Sequence, residues 1–94
     1  WAGQPLEARA ALLRKAGQEL SRRREDIQRI MTAEMGKLRR EALAEVDKCA
    51  QACAFYADHA ADYLEPQPIP TEAQRSYVRY EPIGCVFAVM PWNF

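Results

Sequence analysis

The chain has 94 residues, enough for one small domain and too few for two. Thirteen Lys and Arg balance thirteen Asp and Glu, which excludes a general pull toward nucleic acid or anionic lipid. Hydrophobic residues make up 49% and charged residues 28%, an ordinary globular composition, and no apolar run approaches the about 20 residues of a membrane helix.

The opening Trp1-Ala2-Gly3 carries neither an initiator Met nor a charged stretch before an apolar one, so no secretory signal is read here. Pro5 suits a first helical turn, where its missing N–H has no partner to lose. Leu6, Leu13, Leu20 and Ile27 recur every seventh residue, with Ala10, Ala16, Ile30 and Met31 filling one stripe. Arg9, Arg14, Lys15 and Glu19 form the solvated side. A break is expected near Ser21-Arg22-Arg23-Arg24: Ser21 is a capping residue, and Glu25-Asp26 favour a new N-terminus. Gly36 is expected to end the second helix in a left-handed conformation.

A third helix is predicted from about Arg39 to Tyr63. Leu43, Val46, Ala50, Cys53, Ala54, Ala57, Ala61 and Leu64 keep three-and-four spacing, and the alanines permit close approach of another element. Glu41, Glu45, Lys48, Asp58 and Asp62 form the other face.

The three cysteines, Cys49, Cys53 and Cys85, are an odd number without framework spacing, which points to free thiols in a reducing compartment. Cys49 and Cys53, four apart on a helix, suit disulfide geometry poorly. Zinc needs about four ligands, and His59, six residues past Cys53, points elsewhere. The thiols are read as small packing residues, with no metal site.

Glu65-Pro66-Gln67-Pro68-Ile69-Pro70 cannot be helix and reads as an extended linker. Ser76-Tyr77-Val78-Arg79-Tyr80-Glu81 has the β-branched and aromatic content of a strand, and Pro82 and Gly84 make a turn. Cys85-Val86-Phe87-Ala88-Val89-Met90 is apolar without alternation, which suits a central parallel strand covered on both faces. Such a strand needs neighbours and covering helices that this length does not supply, so the chain is expected to be part of a larger α/β protein. Ligands bind beyond the carboxyl ends of parallel strands. At that end stand Pro91, Trp92, Asn93 and Phe94, and a carboxamide donor such as Asn93 suits a negative oxygen formed during reaction. The competing reading there is core packing by Trp92 and Phe94, with Asn93 capping a turn.

The segment Tyr80-Glu81-Pro82-Ile83-Gly84 through the apolar run to Pro91-Trp92-Asn93-Phe94 resembles one of the aldehyde dehydrogenase superfamily. Glu34-Met35-Gly36-Lys37, Glu41-Ala42 and Glu45-Val46 resemble that family's helix end and its following Glu-Val pair. Trp1 and Arg9 through Leu20 fit the helix before it. The similarity runs essentially the whole length, and its detail leans toward the succinate-semialdehyde dehydrogenase branch.

The resemblance implies an α+β stretch of an α/β Rossmann-like fold. Residues 1–64 form the helical part of the cofactor-binding domain and 65–75 a Pro-rich linker. Residues 76–84 form an oligomerisation-arm strand and turn, and 85–94 the first Rossmann-like strand. It implies oxidation of a small-molecule aldehyde to a carboxylic acid with NAD or NADP, by a cytoplasmic homo-oligomer, dimer or tetramer. Asn93 is implied as the catalytic oxyanion donor, and Val89, Met90, Pro91 and Trp92 as cofactor-binding. The family's nucleophilic cysteine and general-base glutamate are implied to lie beyond Phe94, so these residues alone are expected to be inactive. Cys85, at the far end of a strand expected to be buried, is not read as the nucleophile.

Two other readings compete. The seven-residue recurrence is consistent with a helical self-association module, but Gly17 and Arg24 interrupt it and it lasts barely four heptads. Arg22-Arg23-Arg24 suggests nucleic-acid binding, but it lacks interleaved aromatics, and Glu19, Glu25, Asp26 and Glu34 neutralise its field, so no nucleic-acid partner is expected.

Overall fold

Helix α1 (Leu6–Arg22) begins one residue after Pro5, which takes the capping position with φ −53° and ψ 142°. The computed structural model describes residues 1–91. Helices α2 (Arg24–Met35) and α3 (Arg39–Leu64) follow, then a short antiparallel hairpin of β1 (Gln67–Pro68) and β2 (Tyr77–Val78). The molecule is elongated, 60 × 25 × 21 Å. Helix α3 carries the packing: α1 and α2 both lie along it and scarcely meet each other.

The break between α1 and α2 falls where expected, but Ser21 does not make it. Ser21 stays within α1, and Arg23 is the junction, with φ −95° and no side-chain cap. Its N–H donates to the Glu19 carbonyl at 2.9 Å, and its own carbonyl accepts from the Ile27 N–H at 3.0 Å. The backbone ladder therefore runs almost unbroken through a single kinked residue, which leaves no free donor for a serine cap to satisfy.

Gly36 takes the left-handed conformation at φ 69°, and its N–H donates to the Thr32 carbonyl at 2.9 Å. Buried Gln28 donates to Thr32 Oγ1, which donates to the Lys37 carbonyl, each at 2.9 Å. This small network fixes the turn from α2 into α3. Gly36→Ala is expected to cost about 1 kcal/mol through backbone conformation alone, since no atom lies within 4 Å of the added methyl. Thermal denaturation of the protein carrying this segment measures it.

The apolar stripe is only partly the buried one. Ala10, Ala42, Val46 and Ala57 form the core, while Leu13, Ile30 and Ala16 stay exposed. The reason is close approach at small residues. A Cβ added to Gly17 would stand 3.0 Å from the Ala50 carbonyl oxygen and 3.0 Å from Cys53 Cβ. Helices meeting that tightly push longer side chains to the rims of the contact. Glu45 correspondingly leaves the solvated face to pair with Lys37, while Asp58 stays exposed and pairs with Arg14.

The Pro-rich linker also differs from expectation, because its Gln67-Pro68 becomes β1. Gln67 pairs opposite Val78 and Pro68 opposite Tyr77, and the Ile69 N–H donates to the Ser76 carbonyl at 2.9 Å. Proline is tolerated on an edge strand, where no second neighbour asks for its missing donor. Thr71 Oγ1 accepts from the Ala73 N–H at 3.2 Å and lies 2.6 Å from Ser76 Oγ, closing the loop. The strand expected over residues 76–81 is reduced to Tyr77–Val78.

The largest correction concerns the apolar run. Residues 85–91 carry no strand, and Phe87 is 92% exposed. A strand is stable only with a ladder partner and covering side chains, and a two-residue hairpin offers neither. Cys85, expected to be buried, is exposed with it.

Candidate functional site

The site predicted from sequence lies at the carboxyl end of that run. Val89 and Met90 are 82% and 77% exposed, and Pro91 is exposed beside them. Trp92 and Asn93, the other two site residues, lie outside the described residues, as does Phe94. The described part of the site is thus a stretch of accessible apolar side chains, positioned by Gly84. That glycine turns the chain at φ 92° with open space where a side chain would stand. Two grooves among the described residues lie elsewhere. One of about 630 Å³ follows the α1–α3 crossing between Arg14 and Asp47, and another of about 410 Å³ runs from Trp1 to Tyr56. Neither is lined by Val89, Met90 or Pro91.

What the helices supply is a charged frame. Arg14 on α1 donates to Asp58 and to Glu7, both at 2.9 Å, so one guanidinium ties the two helices together. Arg24 grips Asp47 with two bonds, at 2.6 and 2.8 Å, linking α2 to α3. Arg39 reaches Glu25 at 3.2 Å, and Lys37 pairs with Glu45. Two of the three consecutive arginines are engaged, Arg22 with Glu19 and Arg24 with Asp47. No groups of three or more potential metal ligands cluster among the described residues. Of the thiols expected to pack, Cys53 is half-buried against Gly17, whereas Cys49 is exposed.

The Arg24 hydrogen bonds hold the Asp47 carboxyl below the usual carboxylate range, and Arg22 does the same to Glu19. A depressed folded-state pKa contributes stability above the unfolded value, about 3.9 for aspartate, and that contribution is lost as pH falls through the folded value. Asp47→Asn is therefore expected to flatten the fall in melting temperature below about pH 4. Both side chains are partly solvated, so added salt should weaken the effect. An acid limb identical in the variant and the parent would remove this role.

The Aldehyde dehydrogenase family matches the chain over residues 1–94. The chain belongs to the aldehyde dehydrogenase family. A probable NADP⁺ succinate-semialdehyde dehydrogenase of Synechocystis is 48% identical over 90 residues, covering 96% of this chain and 20% of that protein. The NAD(P)⁺ succinate semialdehyde dehydrogenase Sad of Escherichia coli is 39% identical over all 94 residues, again 20% of its length. The crystal structure of succinic semialdehyde dehydrogenase from Streptococcus pyogenes in complex with NADP⁺ superposes with a TM-score of 0.76 at 40% identity. That match covers 82% of this chain and 17% of the other. The chain thus spans about a fifth of the length of the aldehyde dehydrogenases it matches.

Proposed function

We propose that these residues work as the amino-terminal section of a longer NAD(P)-dependent aldehyde dehydrogenase, with succinate semialdehyde as its substrate. The observation that carries this reading is the 48% identity to the Synechocystis enzyme across nearly the whole chain. In the longer protein the run Cys85–Met90 becomes the first strand of a Rossmann-like sheet. The residues after it then stand at the carboxyl edge where ligands bind.

Val89, Met90, Pro91 and Trp92 line the cofactor cleft. The described ones, Val89, Met90 and Pro91, are apolar in type, as a surface against a flat heteroaromatic ring requires. NAD(P), when bound, is the hydride acceptor. Asn93 holds its side-chain N–H donors toward the oxygen of the aldehyde as a cysteine thiolate from elsewhere in the protein adds to the carbonyl. The negative charge that forms there is met by a donor already in place, so little reorganisation is needed. A glutamate, also outside these residues, activates the water that releases the acid. Cys85 sits at the opposite end of the run and takes no part. Residues 1–64 support the strand, and the stretch around Tyr77 to Glu81 lies in the arm through which subunits of a cytoplasmic homo-oligomer associate.

The longer protein mixed with succinate semialdehyde and either nicotinamide cofactor is expected to form the reduced cofactor, while residues 1–94 alone form none. Absence of turnover by the longer protein with this and other small aliphatic aldehydes defeats the reading.

A further inference from the structure

Helix α3 has a second face that the packing of α1 leaves unused. Ala50, Cys53 and Ala57 approach α1, through Gly17 and Arg14. Phe55, His59 and Tyr63, spaced four apart, lie on the opposite side of a helix of 3.6 residues per turn. Their rings form a row: Phe55 to His59 at 4.6 Å and His59 to Tyr63 at 6.3 Å between centroids. Tyr56 stands edge-on to Phe55 at 5.4 Å, and Asp62 lies 3.6 Å from His59 Nδ1. All four rings are about half exposed.

We propose that this row is an internal packing face, covered by the part of the same polypeptide lying outside residues 1–94, and not by a second subunit. The inference rests on the longer protein proposed above. Two observations choose the occupant. Phe, Tyr and Trp side chains bury about 150–250 Å² each, so half-exposed Phe55 and Tyr63 with the smaller His59 leave at most roughly 300 Å² to cover. A stable subunit contact takes about 800 Å² from each partner, more than twice what the row offers, whereas one packed element of the same chain needs no more. The matched relatives, moreover, are five times longer than this chain and have ample polypeptide to supply it.

The test uses the longer protein carrying His59→Cys, labelled with a thiol reagent and read by peptide mass spectrometry so that Cys49, Cys53 and Cys85 are followed separately. Labelling at the introduced thiol is expected to be at least roughly tenfold slower in the folded protein than in urea. Equal rates show an open surface and overturn the proposal. Tyr63→Lys, or the milder Phe55→Ala if that variant does not fold, is then run on a sizing column. A lowered melting temperature with unchanged oligomeric state supports cover from the same chain. Release of smaller species assigns the face to a subunit contact and overturns the proposal. Neither readout depends on aldehyde oxidation, so a protein inactive with aldehydes but protected at position 59 separates this inference from the enzymatic one.

Discussion

Asn93→Ala in the longer enzyme is expected to lower turnover by about 10²–10³-fold, or about 2.7–4 kcal/mol of lost transition-state stabilisation. The alanine removes a donor needed most when the aldehyde oxygen becomes an anion, so kcat should fall with little change in KM. Asn93→Asp should be at least as damaging, because a carboxylate brings a like charge and no N–H to the same place. Steady-state kinetics, with melting temperature as a control for folding, make the measurement. Turnover unchanged in the alanine variant refutes the role.

The second large effect is expected at Gly17. An added methyl there would stand only 3.0 Å from the Ala50 carbonyl oxygen and from Cys53 Cβ on α3. Backbone cannot yield as a flexible side chain does, so a larger residue must separate the helices. Overpacking of this kind costs about 1–3 kcal/mol, and Gly17→Leu is expected at the upper end. Gly17→Ala gains back about 1 kcal/mol of helix propensity, so its net loss should be smaller. Gly3→Ala, with nothing within 4 Å of the new methyl, serves as the neutral control. Denaturation in urea ranks the three; a Gly17→Leu variant as stable as the parent would show that the crossing is not tight.

The same crossing shows what the sequence reveals and what it hides. The seven-residue recurrence marks α1 and three-and-four spacing marks α3, and the alanines of α3 announce a close neighbour, because these are properties of one helix alone. Gly17 seemed in sequence to interrupt a stripe, whereas it is the point of contact: which residue touches depends on the crossing, which no single helix encodes. Gln28 was invisible for the same reason, since its burial follows from the turn at Gly36 and the partner Thr32. Gly36 itself was legible because a left-handed helix end asks for glycine by local sterics. Residues 67–68 were hidden by Pro68 and its neighbours Pro66 and Pro70, which argue against a strand until an edge position removes the objection.

The site divides in another way. The pattern of the run 85–90 spoke of a covered strand, whereas these side chains stand in solvent, because cover depends on elements the run itself does not encode. Asn93 was singled out by its chemistry at a strand end and by resemblance to a family. The family is now established over the full chain, whereas the role of the carboxamide is the proposal tested by its substitution.

The most direct measurement is a crystal structure of the longer protein with NADP⁺ and an aldehyde-derived inhibitor. The expected result is a Cys85–Met90 strand hydrogen-bonded on both edges, with the Asn93 amide nitrogen about 2.7–3.1 Å from the inhibitor oxygen. A run still lying in solvent, or an Asn93 turned away from a fully bound ligand, contradicts the account.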